Sequence, residues 1–327
     1  MTAYILRRIA QSVIVMLAVG LVAFSLFRFV GDPVATMMGQ EASQADRAEL
    51  RDRLGLNDPV FIQFASYMAR AATGDFGISY RLQQPVLELI VSRLPATLEL
   101  ALISGFLAFV LGITLGVYTA LNRTGWWSGF IMTTSLIGVS LPTFLIGVLL
   151  IWVFAVELQW LPSFGRGETV DVGFWRTGLL TPSGRASILL PAITLGLYQM
   201  TLIMRLVRAE MLEVLRNDYI KFARARGLTD RTVHFGHALK NTMVPVITIT
   251  GLQLGSIIAF AIITETVFQW PGVGALFINS VQFVDIPVMA AYLMLIALVF
   301  VVINLIVDLL YYAVDPRLRV ERSHATH

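Results

Sequence analysis

The chain has 327 residues, 57% of them hydrophobic and only 14% charged, with a mean hydropathy of +0.75. A soluble domain carries about 25% charge, so the apolar surplus excludes an ordinary water-soluble globule and calls for lipid. Net charge is only +3, and the absence of cysteine excludes a disulfide framework, a thiolate metal site and a thiol nucleophile.

Charge-free runs at 9–27, 100–122, 124–156, 186–204, 241–264 and 286–307 are each long enough to cross a bilayer core, which takes roughly 20 apolar residues. They predict an all-α polytopic membrane protein with six spans. Arg7 and Arg8 precede the first run as in a secretory signal, and Ala18-Val19-Gly20 offers small residues for cleavage. That run stays apolar to Phe27, which favours a retained span. Gly31-Asp32-Pro33 ends it. Ala45–Leu54 reads as a charged surface helix stopped by Gly55, and Pro59–Ala71 as an amphipathic helix. Gly74–Tyr80 reads as a turn, and Val86–Arg93 as a short helix before Pro95 opens the second span. Pro142, Pro191 and Pro245 lie in or at the ends of the third, fourth and fifth runs, where they act as hinges or impose simple curvature. Gly112-x-x-x-Gly116 and Gly251-x-x-x-Gly255 permit close helix approach, either to a neighbouring chain or within this one. The run 266–284 is also free of charge, but Gln269, Pro271, Gly272, Gly274, Asn279, Ser280 and Gln282 make it a poor lipid-facing helix. A loop with a short helix dipping back toward the outer face is expected there.

Lys and Arg set the orientation. Segments 1–8, 122–129, 205–240 and 313–327 hold 14 of them, against 9 in the much longer stretches 31–97, 157–187 and 266–285. The first set is therefore cytoplasmic, with both termini inside. The chain then divides into 1–97, a first span plus outer loop; 98–315, a core of spans two to six with a cytoplasmic loop at 209–241; and a cytoplasmic tail, 316–327.

The cytoplasmic loop carries the most distinctive pattern. Asp218–Arg226 is helix-capable and stops at Gly227, a residue suited to the left-handed position that closes a last turn. Asn217 or Asp218 can cap its start. Thr229 or Asp230 can cap a second helix that runs into the next span. On the first helix Tyr219, Phe222, Ala223 and Arg226 share a face, with Lys221, Arg224 and Ala225 opposite. An aromatic stripe ending in Arg suits a groove on a partner protein. A basic helix lying on anionic lipid is the competing reading.

Other chemistry is sparse. Lys occurs only at 221 and 240, so there is no Gly-x-x-x-x-Gly-Lys phosphate loop and any ATP energy must come from outside the chain. His234 and His237 are three apart but lack a third ligand nearby. His324 and His327 lie in the tail. Metal ligation is not expected. Glu99, Arg205, Glu265 and Asp308 sit near span ends, where snorkelling or local pairing accounts for them. No span carries a row of charges or a polar filter, which leaves a proton relay or passive channel without support. An anchor for a soluble complex would not need an elbowed, aromatic-faced loop. Nothing points to nucleic acid.

Asp218-Tyr219-Ile220-Lys221-Phe222-Ala223-Arg224-Ala225-Arg226-Gly227-Leu228, with His237-Ala238-Leu239-Lys240-Asn241 and Pro245, resembles the cytoplasmic loop of ABC-importer permeases of the dipeptide/oligopeptide/nickel branch. Thr264-Glu265-Thr266-Val267-Phe268 with Trp270-Pro271-Gly272-Val273-Gly274 is similar to that branch's outer re-entrant segment. Gly31-Asp32-Pro33, Leu54-Gly55-Leu56, Gly74-Asp75-Phe76-Gly77 and Arg93-Leu94-Pro95-Ala96-Thr97-Leu98-Glu99 resemble its first-loop signatures, and Asp315-Pro316-Arg317 its C-terminal end. Lys221-Phe222-Ala223 stands where the wider superfamily has Glu-Ala-Ala, so no loop Glu is given a role. The resemblance implies a non-catalytic permease of the bacterial inner membrane, paired with a second, similar permease. It implies two ATPase subunits that hold ATP and magnesium, and an outer substrate-binding protein that delivers cargo. By the same resemblance Asp218, Tyr219, Phe222, Ala223, Arg224, Arg226, Gly227 and Leu228 couple to the ATPase. The implied cargo is a di- or oligopeptide, with nickel chelates, glutathione and other peptide-like solutes as alternatives. No cargo-contacting residue is identified.

Overall fold

The computed structural model describes residues 2–29, 34, 43–53, 55–173 and 175–314. Gly31-Asp32-Pro33, Leu54, Asp315-Pro316-Arg317, His324, His327 and the Asp308 side chain lie outside the described residues. The described residues are mostly helical. In order the helices are α1 (Thr2–Phe29), α2 (Gln44–Arg53), α3 (Val60–Ala72), α4 (Val86–Leu121), α5 (Trp126–Ser135), α6 (Ile137–Ser140), α7 (Thr143–Leu150), α8 (Pro182–Val214), α9 (Asp218–Ala225), α10 (Leu239–Val267), α11 (Val273–Gln282) and α12 (Ile286–Val314). Two π-helical segments, Ile151–Glu157 and Thr232–Ala238, continue α7 and lead into α10. A small antiparallel hairpin, β1 (Val170–Val172) with β2 (Trp175–Thr177), interrupts the helices.

Among the described residues four helices are long and apolar enough to cross a membrane unbroken: α1, α4, α8 and α12. Two further crossings are bent pairs, so the total reaches six when each pair counts as one. The run 124–156, expected as a single span, bends by 112° between Ser140 and Thr143. Leu141 is extended (φ −91°, ψ 140°) because the Pro142 ring disfavours the helical conformation in the residue before it. Pro95 does the opposite of what its chemistry predicts: α4 runs through it for 36 residues. The short helix and the second span are therefore one rod of about 54 Å at 1.5 Å per residue, well beyond a ~30 Å hydrocarbon core. Likewise α8 runs from Pro182 to Val214, capped by the Thr181 hydroxyl, which accepts from the Gly184 N–H at 3.0 Å. The short helix expected in 266–284 is α11.

The chain forms two compact units. One comprises residues 1–97 and 271–302. There α1 packs on α3 through Phe24, Phe27, Phe64 and Tyr67, with Ala290 and Met294 of α12 completing the cluster. Most of α1 otherwise faces outward, as a lipid-facing helix must. Within this unit the Val273 N–H donates to the Thr97 hydroxyl at 2.8 Å, fixing the start of α11.

The other unit comprises 98–270 and 303–327. Its core is the packing of α8 against α10, α7 and α4. A Cβ added at Gly112 would sit 2.8 Å from Ile203, and one at Gly116 2.7 Å from Val207. The Gly112-x-x-x-Gly116 stripe is thus consumed inside the chain, where it lets α4 and α8 approach closely. Gly251 meets Val307 in the same way. Glu99 is paired, as local pairing requires: Arg166 Nη2 lies 2.6 Å from its carboxylate and the Trp175 indole N–H donates to it at 3.0 Å. Both charges are buried, and Arg166 also donates to the Arg176 carbonyl. This cluster ties the hairpin to the head of the second span. Glu265 is fully buried and Arg205 is exposed.

Candidate functional site

Residues 215–240 form an elbow of two helical pieces, and each bend has a local cause. Helix α9 starts after Asn217, whose carbonyl accepts from the Ile220 and Lys221 N–H groups at 3.1 and 3.3 Å. The Asn217 side chain makes no capping bond. Asp218 supplies negative charge to the first turn instead, where the exposed N–H groups favour an anion. The Lys221 ammonium donates to its carboxylate at 2.8 Å, a hydrogen bond that together with the cation's charge holds the Asp218 pKa below the ordinary value. The pair is fully solvated and adds little to stability.

The other end closes tightly. The Leu228 N–H donates to the Ala223 carbonyl at 3.3 Å and the Gly227 N–H to the Arg224 carbonyl at 2.9 Å, the two bonds of a Schellman motif. Gly227 carries the required positive φ, +77°. A Cβ there would meet nothing within 4 Å, so the constraint on this position is conformational and not steric. Thr229 then caps the second piece, its hydroxyl accepting from the Thr232 N–H at 3.4 Å. The chain turns through the π-helical Thr232–Ala238 into α10.

Which face is buried differs from the pattern expected from sequence. Ile220 is 0% exposed and Ala223 7%, packed in one cluster with Val207 and Met211 of α8, Val233, Ala238 and Val246. Ala223 therefore does not share the outward face of Tyr219 and Phe222. The i, i+3 pair Ile220/Ala223 is the apolar stripe that seats this eight-residue helix on the bundle. Residues on the other side are left outside: Phe222 is 64% exposed, Tyr219 42% and Leu228 40%. Arg226 lies 5.8 Å from the Phe222 ring centroid, in cation–π range. The Tyr219 hydroxyl accepts from the Asn241 amide at 2.9 Å, linking the outward face of α9 to the root of α10.

Arg224, Asp230 and His234 form a loose polar rim, with Arg224 Nε 3.9 Å and His234 Nε2 4.0 Å from Asp230. Arg224 Nη2 is 3.5 Å from His234 Nε2. Among the described residues no group of three or more His, Cys, Asp or Glu side chains is placed to hold a metal. The sequence pattern gave no sign of the inward role of Ile220, because a stripe of one Ile and one Ala is weak beside two aromatics. It also passed over Phe235, which is 53% exposed on the π-helical segment and adds a fourth apolar side chain to the outward surface.

The arrangement is a stiff bracket: two buried anchors inside, apolar and basic side chains outside. Its outward side chains, apolar and basic together, suit contact with a partner surface.

Residues 112–320 match the family described as binding-protein-dependent transport system inner membrane component, and residues 1–101 match its N-terminal companion. The chain is 39% identical over 332 residues to a dipeptide transport system permease protein of Alkalihalophilus pseudofirmus, covering 98% of this chain and all of that one. It is 40% identical to an oligopeptide transport system permease protein of Bacillus subtilis (97% and 99% covered). It is 37% identical to a glutathione transport system permease protein of Escherichia coli (97% and 98%). The fold is similar to a chain of the inward-facing MetNI methionine ABC transporter, with a TM-score of 0.56 and 20% identity, covering 70% of this chain and 97% of that one.

Proposed function

The chain belongs to the family of binding-protein-dependent transport inner membrane components, and from that premise we propose that its cytoplasmic bracket is where an ATPase attaches and drives transport. The protein is a multi-pass inner-membrane permease of an ABC importer. We read its cargo as di- or oligopeptides, since full-length relatives near 40% identity carry those names. Glutathione, itself a tripeptide, is the alternative that a 37% identical relative favours. Both termini are cytoplasmic in this reading, as the Lys/Arg distribution requires. A second, similar permease, two ATPases carrying ATP and magnesium, and an outer binding protein complete the complex.

The observation that carries the proposal is the split on α9: Ile220 fully buried, Phe222 two thirds exposed. Tyr219, Phe222 and Leu228 fill an apolar groove on the ATPase while Arg224 and Arg226 meet its acidic rim. Asp218 sets the start of the helix, Ala223 seats it and Gly227 closes it. Switching a two-state bundle from 1:99 to 99:1 takes about 5.5 kcal/mol of differential binding. A helix bolted to the core through Ile220 and Ala223 can deliver that to α8 and α10. A lipid-resting helix would not need the Schellman closure and the Tyr219–Asn241 bond that hold its outward face in one orientation.

The test is co-purification from detergent. Phe222→Asp is expected to lose the ATPase while the permease still inserts. Wild-type recovery of ATPase with that variant, together with unimpaired uptake, would overturn the assignment.

A further inference from the structure

A second surface, remote in sequence from the bracket, is built with unusual care. Segments 77–86 and 282–286 belong to the same unit and to stretches that the Lys/Arg distribution places on the outer side. One carboxylate joins them. Asp285, 2% exposed, accepts from the Ser79 hydroxyl, from the Tyr80 N–H at 3.0 Å and from the Arg81 N–H at 3.4 Å. The Ser79 hydroxyl in turn accepts from the Leu82 N–H at 2.9 Å. Ile78 and Pro85 pair across the base of the first loop. Three donors on one buried carboxylate make a strong, charge-assisted clasp.

Two non-glycine residues in these loops hold left-handed backbone: Gln83 and Val284, each at φ +54°. For a β-branched residue this is a true outlier, and it persists only where the surroundings over-determine it. Here the clasp does so. The product is a fixed display of apolar side chains. Ile78 and Phe283 are each 55% exposed, Leu82 and Val284 are exposed beside them, and the Arg81 guanidinium lies 3.5 Å over the Phe283 ring. Membrane-interface anchoring draws on Trp and Tyr at the headgroup level, whereas the side chains displayed here are Ile, Leu, Val and Phe with an Arg. Rigid aromatic and aliphatic anchors with an Arg are what protein hot spots are made of.

We propose that Ile78, Leu82, Phe283 and Val284 form the contact by which the outer binding protein docks on this chain, with Arg81 meeting a carboxylate of that partner. The inference rests on the importer reading, in which transport depends on a binding protein reaching the face opposite the ATPases. Its occupant follows from that dependence and from the basic residue at the centre of the patch.

The absence of cysteine makes the test clean. Ile78→Cys and Phe283→Cys each place a single thiol in this chain of the assembled complex in nanodiscs. Labelling by a water-soluble maleimide is timed with and without the purified cognate binding protein. The expected result is at least tenfold slower labelling at both positions when that protein is present, and about tenfold weaker binding of it by Phe283→Asp. Unchanged labelling rates alongside normal binding would overturn the docking surface and leave the importer reading intact. Thiols reached only by a lipid-partitioned maleimide would assign the patch to the bilayer and overturn it as well. Failure of the binding protein to associate with the unsubstituted complex would overturn both.

Discussion

Gly227 shows how one residue sets the geometry of the bracket. Its φ of +77° is open to Gly at no cost, while an L-residue pays about 1–2 kcal/mol there, and the space around it is empty. Gly227→Val is therefore expected to cut uptake strongly without blocking insertion, whereas Gly227→Asn, which tolerates the left-handed region, keeps most of it. Equal loss in both variants, measured as transport per inserted molecule, would place the requirement elsewhere. Tyr67 is the opposite case. Its hydroxyl is buried with no hydrogen-bond partner among the described residues, and burial pushes its pKa up to about 12. The neutral form is the one the fold holds, so the group titrates only in strong alkali. Removing an unpaired buried hydroxyl relieves a desolvation cost of about 1–3 kcal/mol. Tyr67→Phe should leave thermal stability unchanged or raise it, since the ring stays in its cluster with Phe24 and Phe27.

At the scale of elements, stability in the larger unit depends on how closely backbones can meet. A Cβ at Gly116 would lie 2.8 Å from the Met204 carbonyl oxygen and 2.7 Å from the Val207 side chain, closer than real Cβ atoms come. Gly116→Leu should separate α4 from α8, lower the unfolding temperature and reduce folded yield; a native melting curve would show that the contact is dispensable. The Glu99–Arg166 pair holds the hairpin in the same unit. Taking one partner away leaves the other charge buried, which costs about 3–5 kcal/mol, while replacing both with apolar groups is far milder. Arg166→Met alone should therefore destabilise more than Arg166→Met combined with Glu99→Leu, an ordering that thermal unfolding in detergent can check. The loop helix α9 needs no such pairing. Its Schellman closure and two inward residues are enough to orient eight residues.

For the molecule as a whole, the proposed partners act by mass action. A subunit that binds the folded permease at 100 times its Kd stabilises it by about 2.7 kcal/mol. Adding the ATPase should raise the melting temperature of the unsubstituted permease and leave that of Phe222→Asp nearly unmoved. An equal rise in both would mean that contact is made away from α9.

Composition and charge-free run lengths already determined a helical membrane protein, because about 30 Å of hydrocarbon admits few other solutions for a chain this apolar. The elbow at Gly227 was legible too, since helix stops are written in local chemistry. Only the tertiary structure decided that Pro95 lies inside a continuous helix while Leu141-Pro142 breaks one. It likewise decided that the Gly112/Gly116 stripe is spent within the chain, that Ala223 turns inward with Ile220, and that Asp285 clasps a loop some 200 residues earlier. Each of these depends on which neighbour fills the space beside a residue or supplies its donors. Periodicity carries the local preferences of a chain, and those contacts arise only when distant segments pack.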